Sequence, residues 1–340
     1  MANFELQEEI QALEDLSSYD IPNEQDISSM DSRAVDHLLE SAVEALADSS
    51  DSITNPLIFD TYRSFLKHSS SLQGSTMSKL LDSISSAFTT EIEATIRDED
   101  DDPQGHTAHK LPLEMYAFLI YWFVTAAEQV KASGDDDDAP VPSARPKRGR
   151  GGKTAAARAK KTQTWSWTGH IPTILALICK VLRLKTQRIW TITAERDAFV
   201  KCLTSPAYRA AENMEYMKDK DHRMWVYKVI CLAVKHHGHA LAAQITIMQN
   251  LQFFEHLGEP MAELLYVLVK EYDHQQLCDE VLREIAGKTY SAVDNKGGRT
   301  TSKFIVKLVE LSPRSVLKQF SLLIALLDSE VSAQECRPES

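Results

Sequence analysis

HRMWVYKVICLAVKHHGHALAAQITIMQNLQFFEHLGEPMAELLYVLVKEYDHQQLCDEVLREIAG, residues His222 to Gly287, carries the rhythm on which the fold assignment rests. Trp225, Val226, Val229, Ile230 and Ala233 recur at the spacing of one helical face and run out at Gly238, a residue that accepts the left-handed backbone of a helix end. Leu241, Ile245, Met248, Leu251 and Phe254 repeat that spacing, and Gly258 is expected to stop the helix they mark. Pro260 then opens a third helix, which places Met261, Leu264, Leu265, Leu268, Val269 and Tyr272 at successive i, i+3 and i+4 positions. Leu277, Val281 and Ile285 mark a fourth that ends at Gly287.

The same grammar extends outward. Ser312 and Pro313 form a cap and first turn before Val316, Leu317, Phe320, Leu323, Ile324 and Leu327, because proline fits the first helical position, where its missing N–H would be unpaired anyway. Toward the N-terminus, Trp165 and Trp167 precede Ile171, Ile174, Leu175, Ile178, Leu182 and Leu184, and Trp190 closes that segment. Further back, Val35, Leu38, Leu39, Ala42 and Leu46 give one face. Asn55 before Pro56 starts another, with Ile58, Tyr62, Phe65 and Leu66. Met77, Leu80, Leu81, Ile84 and Phe88 follow Gly74, and an acidic loop, Asp98 to Asp102, is expected to end that helix at Pro103. The segment from Pro112 to about Lys131 is apolar nearly all round, which predicts a helix covered on several sides and central to the first half. Near the start, Phe4, Leu6, Ile10, Leu13 and Leu16 form a short amphipathic stretch that docks on the body or on a partner. Trp122, Trp165, Trp167, Trp190 and Trp225 read as structural anchors, since large aromatics chiefly bury area.

No strand-helix alternation occurs. Helices joined by short Gly- or Pro-marked turns, two per roughly 40 residues, predict an all-α fold: a HEAT/armadillo-like α-solenoid of antiparallel helix pairs. One stretch interrupts it. From Ser133 to Gln163, Asp135 to Asp138 give way to a Pro-broken run and then to Arg145, Lys147, Arg148, Arg150, Lys153, Arg158, Lys160 and Lys161. So few large apolar side chains cannot offset the entropy of ordering, so this is expected to be a disordered charged linker. The domains read as 1–132, an acidic N-terminal helical domain; 133–163, the acidic-then-basic linker; 164–330, HEAT-like helical repeats; and 331–340, a tail. Three roles stay open for the basic cluster: a nuclear-import signal, a DNA contact, or a soluble spacer.

Charge narrows the partners. Residues 1–132 hold 7 Lys+Arg against 25 Asp+Glu, net −18, whereas 133–163 hold 8 against 4 and 164–340 hold 22 against 20. A phosphate backbone is gripped by Lys and Arg that displace counterions, so DNA contact belongs beyond the first half. Cys179, Cys202, Cys231, Cys278 and Cys336 are widely spaced without any C-x-x-C, the usage of a reducing compartment. The start MANFELQEEI lacks a basic segment followed by an apolar one, which argues against a secretory leader. The longest apolar run, Met115 to Ala127, falls short of the roughly 20 residues that cross a bilayer, so no membrane partner is expected.

Signatures of chemistry fail on inspection. Gly152-Lys153-Thr154 and Gly287-Lys288-Thr289 lack the first glycine of a phosphate-binding loop, Lys147 and Leu282 standing in its place. His236, His237 and His239 lie at a helix end without a nearby Cys pair, where imidazoles more often serve as dipole partners than as zinc ligands. The four-aspartate run lacks the glycine turn and final glutamate of a calcium loop. No catalytic residue, cofactor site, metal site or small-molecule substrate is expected.

Specific residues carry a resemblance. Trp165-Ser166-Trp167 with its following apolar helix, Leu184 to Trp190, the turn Glu195-Arg196-Asp197-Ala198-Phe199, and KFIVKLVELSPRSVLKQFSLLIALLDSE (Lys303 to Glu330) resemble the N-terminal region of condensin complex subunit 1. The resemblance spans roughly residues 1–330 and implies a non-enzymatic regulatory and scaffold subunit in mitotic chromosome condensation. Implied partners are the kleisin subunit, the structural-maintenance-of-chromosomes ATPase subunits, and DNA or chromatin. The implied location is the nucleus and chromosome, with a cytoplasmic pool. Family members are far longer, so the chain is expected to be an N-terminal piece, and Val331 to Ser340 departs from the helical array expected to continue there. The alternative is an α-solenoid adaptor of another nuclear complex, a transport or phosphatase scaffold.

Overall fold

A computed structural model describes residues 4–15, 18–101, 105–132, 167–288 and 295–324. Every regular element among them is helical, and the chain folds as an all-α solenoid of antiparallel helix pairs. Its contacts cluster into two compact units, Met1–Arg97 with Ala108–Gly169, and Asp98–Thr107 with His170–Ser340. The linker, residues 133–163, lies outside the described residues.

The first unit contains α1 (Leu6–Ala12), α2 (Ser32–Asp48), α3 (Pro56–Lys67), α4 (Gly74–Asp101) as far as Arg97, and α5 (Lys110–Ala132). Local chemistry sets their starts. The Asp31 carboxylate accepts from the Ala34 N–H at 2.8 Å, and the Asn55 side chain accepts from Leu57 N–H at 3.0 Å with Pro56 behind it, each satisfying a donor that the helix leaves unpaired. α5, the segment without a polar face, is the core: Leu113, Tyr116, Phe118, Leu119, Trp122 and Phe123 are all buried. The N-terminal stretch docks on the body. Phe4 meets Phe59 and Phe118 edge-on at 5.4 and 5.8 Å, and Tyr19 meets Trp122 at 4.7 Å.

Beneath that stretch sits a buried ionic node. Arg63 pairs with Asp60 and donates to the Tyr19 hydroxyl at 2.8 Å, while its guanidinium lies 4.5 Å from the centre of the Phe59 ring. Asp60 also accepts from the backbone and side-chain nitrogens of Asn23 at 3.1 and 2.8 Å. Burial and the neighbouring Arg63 act on Tyr19 in opposite senses; burial dominates, and its hydroxyl stays protonated.

The second unit contains α6 (Ile171–Val181), α7 (Thr186–Ile189), α8 (Thr193–Glu212), α9 (Met214–Lys218), α10 (Lys220–His237), α11 (Ala240–Phe253), α12 (Gly258–Glu271), α13 (Gln275–Ala286), α14 (Asn295–Leu311) and α15 (Pro313–Lys318). α10 pairs with α11, α12 with α13, and α14 with α15. Successive pairs stack so that α10 packs on α12 and α12 on α14 in one layer, α11 on α13 and α13 on α15 in the other. Gly238 ends α10 with φ 70, the left-handed cap expected of it, and Asp219 opens the same helix by accepting from Asp221 and His222 N–H at 2.8 and 3.0 Å.

Four expectations are corrected. The acidic stretch is not a loop, since α4 runs on through Asp98 to Asp101. Gly258 does not stop α11, which ends at Phe253; it is the first residue of α12, and its lack of a side chain serves packing, because a Cβ there would lie 2.8 Å from the Thr300 carbonyl oxygen of α14. The inward face of α11 is Ala243, Ile247, Met248 and Leu251, while Leu241 and Ile245 are 68% and 50% exposed. α15 is a short helix in which Val316 is buried and Leu317 exposed, and Phe320 and Ile324 beyond it are exposed as well.

Candidate functional site

The basic cluster Arg145, Lys147, Arg148, Arg150, Lys153, Arg158, Lys160 and Lys161 lies outside the described residues, as does Trp165. Trp167 opens a short 3-10 helix, Trp167–His170. Trp122 and Trp190 are buried, Trp190 stacking on Phe199 with ring centres 4.2 Å apart. Trp225 differs from both, for it is only half-buried and lines a cleft.

That cleft, of about 390 Å³, lies between α10 and α12 and is lined by Asp221, Met224, Trp225, Lys228, Val267, Glu271 and Tyr272. Its registration follows from the stacked layer. Near the start of both helices Arg223 Nε and the Tyr227 hydroxyl donate to the Glu263 carboxylate at 3.1 and 3.0 Å, which aligns them. Residues one turn apart on α10 then face residues one turn apart on α12. Met224 and Val267 supply an apolar wall.

The cations of this face are held over rings. The Lys228 ammonium lies 4.9 Å from the centre of the Trp225 ring, and the Lys235 ammonium 5.6 Å from that of Tyr272. No carboxylate stands within ion-pair distance of Lys228, Lys235 or Arg183 among the described residues. Arg183, just past α6, extends its positive field to Cys179 and Tyr272. Burial pushes the Tyr272 hydroxyl up to about 12, so it remains a neutral donor.

Elsewhere the titratable groups are structural. His237 is buried, its Nε2 lies 2.7 Å from the Leu182 carbonyl oxygen, and its Nδ1 lies 3.1 Å from the Thr186 hydroxyl. A carbonyl only accepts, so Nε2 carries the proton and Nδ1 accepts from Thr186. Burial holds the pKa of His237 below the ordinary imidazole range, and it does the same to His236 and His239. Burial thus works against a cationic form at this helix end, most clearly for His237. Burial raises the Cys179 thiol to about 11 and the Cys278 thiol to about 12, which leaves both as protonated packing groups. Among the described residues no group of His, Cys, Asp and Glu is arranged to hold a metal ion, and no helix is long and apolar enough to cross a membrane.

Residues 74–243 match the sequence family described as non-SMC mitotic condensation complex subunit 1, N-term. The chain is 33% identical over 172 residues to condensin complex subunit 1 of Schizosaccharomyces pombe, a match covering 51% of this chain and 15% of that protein. It is 34% identical over 163 residues to the Saccharomyces cerevisiae protein of the same name, covering 48% and 14%. With the Xenopus laevis protein of that name the match is 27% over 281 residues, covering 80% and 20%. The chain thus spans a fifth or less of the length of these relatives.

Proposed function

We propose that this chain, which belongs to the family of non-SMC mitotic condensation complex subunit 1, N-terminal region, acts as a non-enzymatic scaffold within a condensin complex on mitotic chromosomes. The family match over residues 74–243 is the observation that carries this reading. The stacked helix pairs support it physically, because an array of helix pairs offers long side surfaces to other macromolecules.

In this reading the partners are a kleisin subunit, the structural-maintenance-of-chromosomes ATPase subunits and DNA. The basic cluster from Arg145 to Lys161 serves nuclear import or contacts DNA, since attraction to phosphates at long range requires no fixed geometry. The chain works in the nucleus and on chromosomes and exchanges with a cytoplasmic pool. Residues 1–132 form its acidic helical domain and 164–330 its repeat domain.

The test is capture. Tagged chain incubated with purified kleisin fragments retains the central kleisin segment and hydrolyses no ATP by itself. Retention of none of the fragments, with retention of a transport receptor or a phosphatase subunit instead, would place the chain in another complex. Neutralising Lys147, Arg148, Arg150, Lys160 and Lys161 weakens nuclear accumulation or DNA binding at low salt; unchanged localisation and unchanged gel shifts leave those residues a spacer.

A further inference from the structure

The α10–α12 cleft has a composition that neither packing nor solubility requires. A tryptophan used only as an anchor is buried, as Trp122 and Trp190 are, yet Trp225 keeps part of its ring open to the cleft. Lys228 lies over Trp225 and Lys235 over Tyr272, so both ammonium groups are stationed at the edge of the cleft. The ring electrons hold each ammonium in place while leaving its N–H donors uncommitted. The result is a slot with an apolar wall, Met224 and Val267, set between positioned cations and the carboxylates of Asp221 and Glu271.

We propose that this cleft docks a short extended peptide in which an aromatic or aliphatic side chain alternates with Asp or Glu. The apolar side chain enters between Met224 and Val267 against the open part of Trp225. The flanking carboxylates meet Lys228 and Lys235, with Arg183 reinforcing the field beside Tyr272. Alternation fits because an extended chain sends successive side chains to opposite sides and every second one into a groove.

Two features argue for peptide over nucleic acid. A cleft of about 390 Å³ admits two or three side chains, whereas a duplex rests on a broad basic surface. Asp221 and Glu271 line the same slot; their carboxylates accept from the free backbone N–H groups of an extended peptide, donors that a run of phosphates lacks.

The experiment uses the purified full chain and fluorescence anisotropy at physiological salt. The probes are a fluorescein-labelled dodecapeptide set alternating Phe or Leu with Asp and Glu, the same set with Lys in the acidic positions, and a short labelled DNA duplex. Binding of the acidic set is expected, with a loss of roughly tenfold or more in Trp225→Ala and in the double substitution Lys228→Glu, Lys235→Glu. Circular dichroism verifies folding, and the lysine pair, Lys235 exposed and Lys228 half-buried, keeps the test valid if Trp225→Ala unfolds. The proposal is overturned if the acidic set does not bind, if it binds both variants as well as the parent, if the lysine set binds equally, or if only the duplex depends on the two lysines. It stands apart from the condensin reading: a chain that captured no kleisin yet bound the acidic set through Trp225 would refute that reading and leave this one intact.

Discussion

Replacing Gly258 by alanine tests the stacking of the helix pairs at a point of close backbone approach. The backbone of Gly258 is ordinary right-handed helix, φ −54 and ψ −58, so the residue is not needed for its conformational freedom. In open space Gly258→Ala stabilises a helix by up to about 1 kcal/mol, less at a first helical position. Space is what is missing. The new methyl would meet the Thr300 carbonyl oxygen at 2.8 Å and the Lys303 Cβ at 3.2 Å, both on α14, and a backbone carbonyl cannot rotate aside. Overpacking of this kind costs about 1–3 kcal/mol. The net expectation is a loss of about 1–2 kcal/mol, which lowers the apparent Tm of a unit of this size by about 2–8 °C. Gly287→Ala is the control. Its φ is −86 and a methyl there meets nothing nearer than 3.6 Å, so it should be neutral or raise stability by about 0.4–1 kcal/mol. The assay is thermal and urea unfolding of both variants beside the parent. A Gly258→Ala protein as stable as the parent, or a Gly287→Ala protein equally damaged, would refute the claim that α12 and α14 are held together by backbone approach.

Other outcomes follow from single residues. Gly238→Ala should cost about 1–2 kcal/mol in the same assay although nothing lies within 4 Å of its Cβ position, because φ 70 is strained for any L side chain; Gly238→Asn should cost less. Arg63→Met leaves the buried Asp60 with Asn23 but no cation, and denaturation should show the first unit weakened by about 3 kcal/mol or more. His237 and His239 have pKa values lowered by burial, so the unfolded chain takes up protons before the folded one does. Stability is therefore full above the unfolded imidazole pKa of about 6.5 and falls as pH drops below it, by up to about 1.4 kcal/mol per pH unit for each group. Urea unfolding between neutral pH and pH 5 checks this; a flat profile, or one that His237→Gln leaves unchanged, contradicts it.

Much of this architecture is legible without coordinates, and the reasons are local. Asn55 with Pro56, Asp219 and Gly238 carry the chemistry of helix ends in their own side chains or in the lack of one, and the run from Leu113 to Val124 has no polar face to offer water. The misreadings come where a choice depends on a neighbour. The apolar residues of α11 are spread around the helix, so spacing alone picks the stripe with Leu241 and Ile245, whereas α13 and α14 cover Ile247, Met248 and Leu251. Gly258 reads as a stop because glycine so often is one; only the approach of α14 shows its use. The cleft was not legible at all, since Trp225 and Tyr272 belong to different helices and meet through the stacking of separate pairs. The signal that existed was the placement of Lys228 and Lys235 on the same side of α10 as Trp225. In the histidine cluster, spacing placed the rings at a helix end but gave no account of the burial that lowers the pKa of His237.

The most direct test of the account is the mass of the complex formed by the chain with the central segment of a kleisin, measured by light scattering during gel filtration. An equimolar complex, stable at physiological salt and unchanged by ATP, is the predicted result. Two species eluting at their separate masses, at concentrations well above the micromolar range, would contradict it.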